Sequence, residues 1–225
     1  MNEATPRIAL IHALAHSVEP VNTALARAWP RAVVMNLVDD SLSADLARAG
    51  ALDAAMHQRF QALAAYAIGT GAQGILFTCS AFGSCIDAVK RRWPDMPVLK
   101  PNEAMVAEAG ALALSRRTRL GLVASFAPTL ESMPTEFDPA VPLDTELARG
   151  ALAALGAGDF VMHDVTVLAA AQALRERGCG VIALAQFSLA RAAPLLRDAL
   201  PGIPVLTTVD SAVEALRRQV QARAG

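Results

Sequence analysis

The chain has little that would tie it to a disulfide framework, a metal, a nucleotide, a nucleic acid or a membrane. Its 225 residues include three cysteines, Cys79, Cys85 and Cys179. These are too few and too unevenly spaced to staple a domain. They also lack the paired CxxC or CxxH spacing of a zinc site, so no metal is expected. No GxGxxG follows the first apolar run, and no GxxxxGK ending in Ser or Thr occurs, so no nicotinamide or nucleotide cofactor is expected. A GxSxG elbow is missing too, which argues against a serine hydrolase. The net charge is −1 with Lys and Arg scattered, so neither nucleic acid nor a membrane surface is an expected partner. No apolar run is long enough to span a bilayer. The stretch from Met1 to His12 lacks the basic segment and long apolar core of a signal peptide. The expected compartment is therefore the cytoplasm, where thiols stay reduced.

What is present is a strong alternation. Hydrophobic residues make up 54% of the chain and charged residues 18%, the balance of a globular protein. Short apolar runs fall at Ile8–Ile11, Ala32–Val38, Gly74–Thr78, Pro97–Leu99, Leu120–Ala124, Val181–Ala185 and Pro204–Thr207. Most are continuously apolar, which suits strands covered on both faces in a parallel sheet. Helical patterns separate them, at roughly 53–70, 80–93, 102–115, 162–177, 188–200 and 209–223. The expected class is α/β with parallel sheets. The region 134–145, with three prolines, reads as a surface loop.

The two halves also repeat. Gly71 aligns with Gly178, Ile75 with Ile182, Pro94 with Pro201, Pro97-Val98-Leu99 with Pro204-Val205-Leu206, and Val106 with Val213. RIALIHALAHS from Arg7 likewise matches RLGLVASFAPT from Arg119. The expectation is two similar, pseudo-symmetric lobes, residues 1–100 with 205–225 and residues 101–204. A small ligand would bind in the cleft between them.

The repeat sets Cys79 opposite Gln186, each just past a buried strand and before a helical pattern. Ligands of open parallel sheets sit beyond the carboxyl ends of the strands. A thiol at a helix N-terminus gains thiolate stabilisation, so a lowered pKa is expected for Cys79. Thr78, Ser80, Phe187 and Ser188 flank the two junctions as candidate substrate contacts. The loop after the first strand offers His12, His16 and Ser17, and its counterpart offers Ser125 and Thr129. Asn102 and Glu103 follow another strand. Helix capping is the plain alternative for Ser17, Thr129, Asn102 and Glu103. Packing is the plain reading of Cys85 and Cys179.

The segments Ile75-Leu76-Phe77-Thr78-Cys79-Ser80-Ala81 and Ile182-Ala183-Leu184-Ala185-Gln186-Phe187-Ser188 resemble the aspartate/glutamate racemase superfamily. That superfamily includes amino-acid and hydantoin racemases, maleate isomerase and arylmalonate decarboxylase. The resemblance runs over nearly the whole chain and implies two pseudo-symmetric lobes and a cofactor-free site for a small carboxylate. It also implies two cysteines, one removing the proton beside the carboxylate and the other returning it. The first carries over to Cys79. The second falls on Gln186, whose carboxamide exchanges no proton near neutral pH. Arylmalonate decarboxylase keeps one cysteine, in the second lobe, and maleate isomerase uses its first-lobe cysteine as nucleophile. The leading expectation is an isomerase or lyase working through Cys79, with Gln186, Thr78, Ser80, Ser125 and Thr129 holding the carboxylate. A racemase with His12 or His16 as substitute base, or a carboxylate-binding protein with a vestigial site, are the alternatives. A homo-oligomer is the common case for such enzymes.

Overall fold

The computed structural model describes residues 5–224. Most of the apolar runs become strands whose side chains are covered on both faces; the run Ala32–Val38 becomes an edge strand that stays partly exposed. β1 (Arg7–His12), β2 (Val33–Val38), β3 (Gly74–Phe77) and β4 (Val98–Leu99) pair in the order β2-β1-β3-β4. β5 (Arg119–Ala124), β6 (Leu143–Leu147), β7 (Cys179–Leu184) and β8 (Val205–Thr207) repeat that order as β6-β5-β7-β8. Every pairing is parallel; Leu10 lies between Asn36 and Leu76, and Leu122 between Thr145 and Ala183.

The helices are α1 (Val18–Ala28), α2 (Ser41–Ala49), α3 (Ala54–Gly69), α4 (Gly83–Arg92), α5 (Glu103–Arg116), α6 (Ala127–Ser132), α7 (Ala151–Gly156), α8 (Phe160–Glu176), α9 (Ala193–Ala199) and α10 (Thr208–Ala224). The expected α/β architecture, two similar parallel sheets each flanked by helices, is what the chain forms.

The chain divides into two compact units, one up to Pro101 with the segment from Ala212 onward, the other Asn102–Ser211. The sequence reading puts 205–225 with the first lobe. β8 instead pairs with β7, Ile182 opposite Val205 and Leu184 opposite Thr207, so it belongs to the second sheet. The boundary falls inside α10. Beyond it, α10 lies so close on β3 that a Cβ at Gly74 would come within 2.9 Å of Val220 and 3.0 Å of Leu216. A side chain at that position would have to displace the ends of Val220 and Leu216.

The repeat is physical as well as textual. α3 and α8 both start from an aspartate cap, Asp53 accepting from the Met56 N–H and Asp159 from the Met162 N–H. Both turn into the next strand through a left-handed glycine, Gly71 at φ 85° and Gly178 at φ 86°. Gly69-Thr70-Gly71-Ala72-Gln73-Gly74 spells GxGxxG, but here it leads from a helix into a strand, the reverse of a dinucleotide cradle.

Two local expectations change. Residues 134–145 are not all loop, because β6 starts at Leu143 and pairs with β5. As a half-buried edge strand with three successive polar residues, it carries no continuous apolar run to announce it. The helical pattern from Ser80 opens as a single 3₁₀ turn, Ser80–Phe82, with α4 starting only at Gly83. Its counterpart opens as the 3₁₀ segment Phe187–Ala192 before α9.

Candidate active site

Cys79 continues β3 in extended conformation, φ −129° and ψ 119°, at the carboxyl edge of the first sheet. It is half-buried, whereas Cys85 and Cys179 are buried. Beside it, Phe60, Phe77 and Leu42 meet His12 and Ala13 around a gap too narrow for a water molecule. That dry wall pushes the Cys79 thiol above its ordinary value; the Ala81 N–H donating to the sulfur only offsets it. The lowered pKa expected from a helix N-terminus is therefore corrected. A single 3₁₀ turn follows the sulfur, and the field of a helix end falls off within its first turn. Burial also raises Cys85, and burial with the neighbouring Asp144 carboxylate pushes Cys179 up to about 11. Cys79 is thus the accessible thiol, and it rests protonated.

His12 ends β1 wholly buried. Asn36 Nδ2 donates to Asn22 Oδ1 at 3.3 Å, which leaves Asn36 Oδ1 as an acceptor. His12 Nε2–H donates to that oxygen at 3.0 Å, and Nδ1 accepts from the Thr78 hydroxyl at 3.0 Å. Burial lowers the His12 pKa, against a raising contribution from the Asn36 bond. The ring is a neutral strut that orients Thr78 next to Cys79. A folded-state pKa below the ordinary 6.5 makes acid destabilising. Between the two values the unfolded chain binds the extra proton, so this stability is full above 6.5 and is lost as pH falls through the folded value. Melting temperature measured against pH should fall below that point, and His12→Gln should flatten the slope.

In the second unit, Gln186 occupies the equivalent place, extended at φ −135° and ψ 147°, half-buried at the carboxyl end of β7. Its Oε1 accepts from Ser125 twice, from the backbone N–H at 2.7 Å and from the hydroxyl at 3.0 Å. The amide is thereby fixed by its oxygen, and both Nε2 hydrogens are left to donate elsewhere.

The family profile described as Asp/Glu/Hydantoin racemase matches residues 13–216. The chain belongs to the Asp/Glu/hydantoin racemase family. No curated protein matches it by sequence. Among solved structures, a glutamate racemase isoform from Bacillus anthracis superposes with a TM-score of 0.68 at 10% identity, covering 97% of this chain and 82% of that one. Allantoin racemase from Klebsiella pneumoniae gives 0.67 at 18% identity, over 97% and 89% of the two chains. A cysteine-for-glycine mutant of arylmalonate decarboxylase gives 0.63 at 16% identity, over 96% and 94%. At such identities the likeness is one of fold.

Within this family frame the remaining candidates separate. Thr78 and Cys79 lie together with His12 in the first unit, and Ser125 with Gln186 in the second. Ser80 is exposed at the start of its turn, and Ser188 is half-buried. Phe187 is buried rather than open to a ligand. Ser17 and Thr129 are half-buried, and neither side chain caps its helix. His16 is exposed. Asn102 is buried and caps nothing. Its Nδ2 donates to the Glu136 carboxylate at 2.7 and 2.6 Å, which removes it as a ready substrate contact. Glu103 is half-buried in the first turn of α5.

The sequence reading passes over Asn36 and Asn22. Asn36 leaves a signal, being the one polar residue in Val33–Val38. Among the described residues there is no group of three or more His, Cys, Asp or Glu that could hold a metal, and no helix long and apolar enough to cross a membrane.

Proposed function

We propose that this family member catalyses a cofactor-independent lyase or isomerase reaction on a small carboxylate, with Cys79 delivering a proton to the carbon beside the carboxylate. What supports it is one accessible thiol at the carboxyl end of β3, its pKa raised by burial, and a pinned carboxamide at the duplicate place at the end of β7. A racemase needs an acid and a base on opposite faces of the carbon. Gln186 supplies neither. His12 does not replace it, since both ring nitrogens are bonded inside its own unit.

A one-acid site suits a reaction in which the substrate makes its own carbanion. Loss of carbon dioxide from a substituted malonate leaves the electron pair of the broken C–C bond in an enediolate. The Cys79 S–H bond then breaks as a C–H bond forms, and the resulting thiolate takes its proton back from water. Gln186 Nε2 and the hydroxyls of Ser80 and Thr129 are the donors for the carboxylate and the developing enolate oxygen, while Thr78 and Ser125 spend their hydroxyl protons on His12 and Gln186 and act by holding those side chains. Neighbours named as glutamate racemase and as arylmalonate decarboxylase fit a carboxylic acid of this kind.

The experiment is incubation with substituted malonates and with α-substituted amino acids or hydantoins in heavy water, followed by mass spectrometry and chiral chromatography. The expected result is loss of carbon dioxide with one deuterium placed on one face. Inversion of a resolved α-centre with solvent exchange would instead establish racemisation.

A further inference from the structure

The duplication carries one more equivalence, between side chains that lie behind the two strand ends. Aligned through Gly71 and Gly178, Cys79 matches Gln186, Ser84 matches Arg191 and His57 matches Asp164. The buried faces keep the same alignment: Met56, Phe60, Ala64 and Ala67 of α3 match His163, Val167, Ala171 and Leu174 of α8. Both matched outer pairs are bonded. Ser84 Oγ lies 3.4 Å from His57 Nε2. Arg191 Nε donates to Asp164 Oδ1 at 2.9 Å, and its Nη2 donates to Oδ2 at 3.3 Å. In each unit the segment after the strand-end residue is thus tied sideways to the helix that precedes the strand.

The two ties differ in strength. The first is one long, exposed contact. The second is a two-bond pairing of guanidinium and carboxylate, which is stronger and more directional. Exposed ion pairs hold little, but here Arg191 is only 33% exposed and Asp164 21%. The Phe160 ring lies 4.2 Å from the guanidinium, and the buried His163 donates Nδ1–H to the same carboxylate at 2.7 Å.

The stronger tie stands behind the more flexible side chain. Cysteine has a single side-chain rotor, whereas glutamine has several and loses more freedom when it is held. Ser125 pins Gln186 Oε1, yet Nε2 keeps one direction only if the backbone at Gln186 is fixed as well. That backbone opens the tied segment: the Gln186 carbonyl accepts from the Leu189 N–H at 3.0 Å, and the 3₁₀ turn runs on through Arg191.

We infer that Arg191 and Asp164 are positioning residues for the Gln186 carboxamide, fixing the segment it starts so that Nε2 is aimed at the substrate carboxylate. The inference rests on the carboxylate-holding role given to Gln186 above. A group that holds the carboxylate in the bound substrate acts strongly on KM, which separates this pair from the proton donor Cys79, whose loss acts on kcat.

The test compares Arg191→Met, Asp164→Asn and Arg191→Lys with Arg177→Met, which breaks the Arg177–Glu146 ion pair elsewhere in the same unit. Two readouts are taken on the full chain. One is the NMR signal of the Gln186 side-chain amide, assigned by its loss in Gln186→Ala; the other is steady-state kinetics on a substituted malonate. Arg191→Met should move the amide signal toward that of free glutamine and raise KM roughly tenfold or more, with a smaller fall in kcat. Asp164→Asn leaves one neutral oxygen where the carboxylate has two, and should act in the same direction by less. Arg191→Lys should recover part of the loss, and Arg177→Met should match wild type in both readouts. A Gln186 signal that stays in place in folded Arg191→Met and Asp164→Asn proteins overturns the inference. So does an equal change in Arg177→Met, or a fall in kcat with KM unmoved. If the wild type turns over no carboxylate, the proposed reaction fails by itself, and the amide signal alone decides the tie.

Discussion

Cys79→Ala is expected to remove turnover, by roughly 10²–10⁴-fold or more, the usual contribution of a positioned proton donor. The fold should survive. The side chain is half-buried, its Sγ has the Ala81 N–H as donor, and the substitution takes away one heavy atom. A loss of stability beyond about 1 kcal/mol would be large for such a change. Cys179→Ala should leave turnover unaltered, because that sulfur sits buried against Asp144 at the far end of its strand. The pH profile separates the role of Cys79 from that of a resting thiolate nucleophile. An acid must hold its proton, and burial keeps the Cys79 thiol above its ordinary value. Activity should therefore persist across neutral pH and fall only in the alkaline range, beyond the free-thiol value of about 8.5. Alkylation by iodoacetamide should show its midpoint in that same range and should vanish in Cys79→Ala. Turnover within tenfold of wild type in that variant would refute the assignment, and an alkylation midpoint below neutrality would turn the acid into a nucleophile.

How far the sequence discloses this arrangement depends on the kind of signal each residue leaves. Ile8–Ile11, Gly74–Phe77 and Val181–Leu184 are buried on both sides, so their runs are unbroken and easily read. Leu143–Leu147 lies at a sheet edge and sets Asp, Thr and Glu in a row between two leucines, a pattern shared with loops. Cys79 and Gln186 are legible because the repeat marks both strand ends. The sign of the thiol's pKa shift is not legible. It depends on Phe60 and Leu42, which approach Cys79 from distant parts of the chain, and on a 3₁₀ turn standing where the pattern suggests a helix. His12 shows the same limit. Its place at the end of the first strand is plain in the sequence, but its partners Asn36 and Thr78 arrive from β2 and from the end of β3. Its role changes with them, from a candidate base to a neutral strut.

Phe60→Ala should be the most damaging single change to the first unit and should also alter the chemistry of Cys79. Phe60 is almost wholly buried, stacked on Phe77 with ring centroids 5.3 Å apart and tilted against Phe82 at 4.8 Å. Truncating a buried phenylalanine costs about 3–5 kcal/mol. That is a large share of the 5–15 kcal/mol that separates a typical fold from its unfolded chain. Chemical denaturation should show the loss directly. The ring also walls the gap beside Cys79, which is too narrow for water. Removing it admits water to the sulfur, and burial is the main cause of the raised thiol value. The alkylation midpoint should then drop toward that of a free thiol. Phe60→Leu keeps most of the volume and should move stability and midpoint in the same directions by less, which keeps the chemical effect measurable if the alanine variant unfolds. A midpoint unmoved in a folded Phe60→Leu or Phe60→Ala protein would mean that something other than the apolar wall holds the proton on Cys79. The coupling matters for function because one aromatic cluster then does two jobs. Phe60, Phe77 and Phe82 close the core under the carboxyl edge of the sheet, and by excluding water they keep the thiol in the form that can donate.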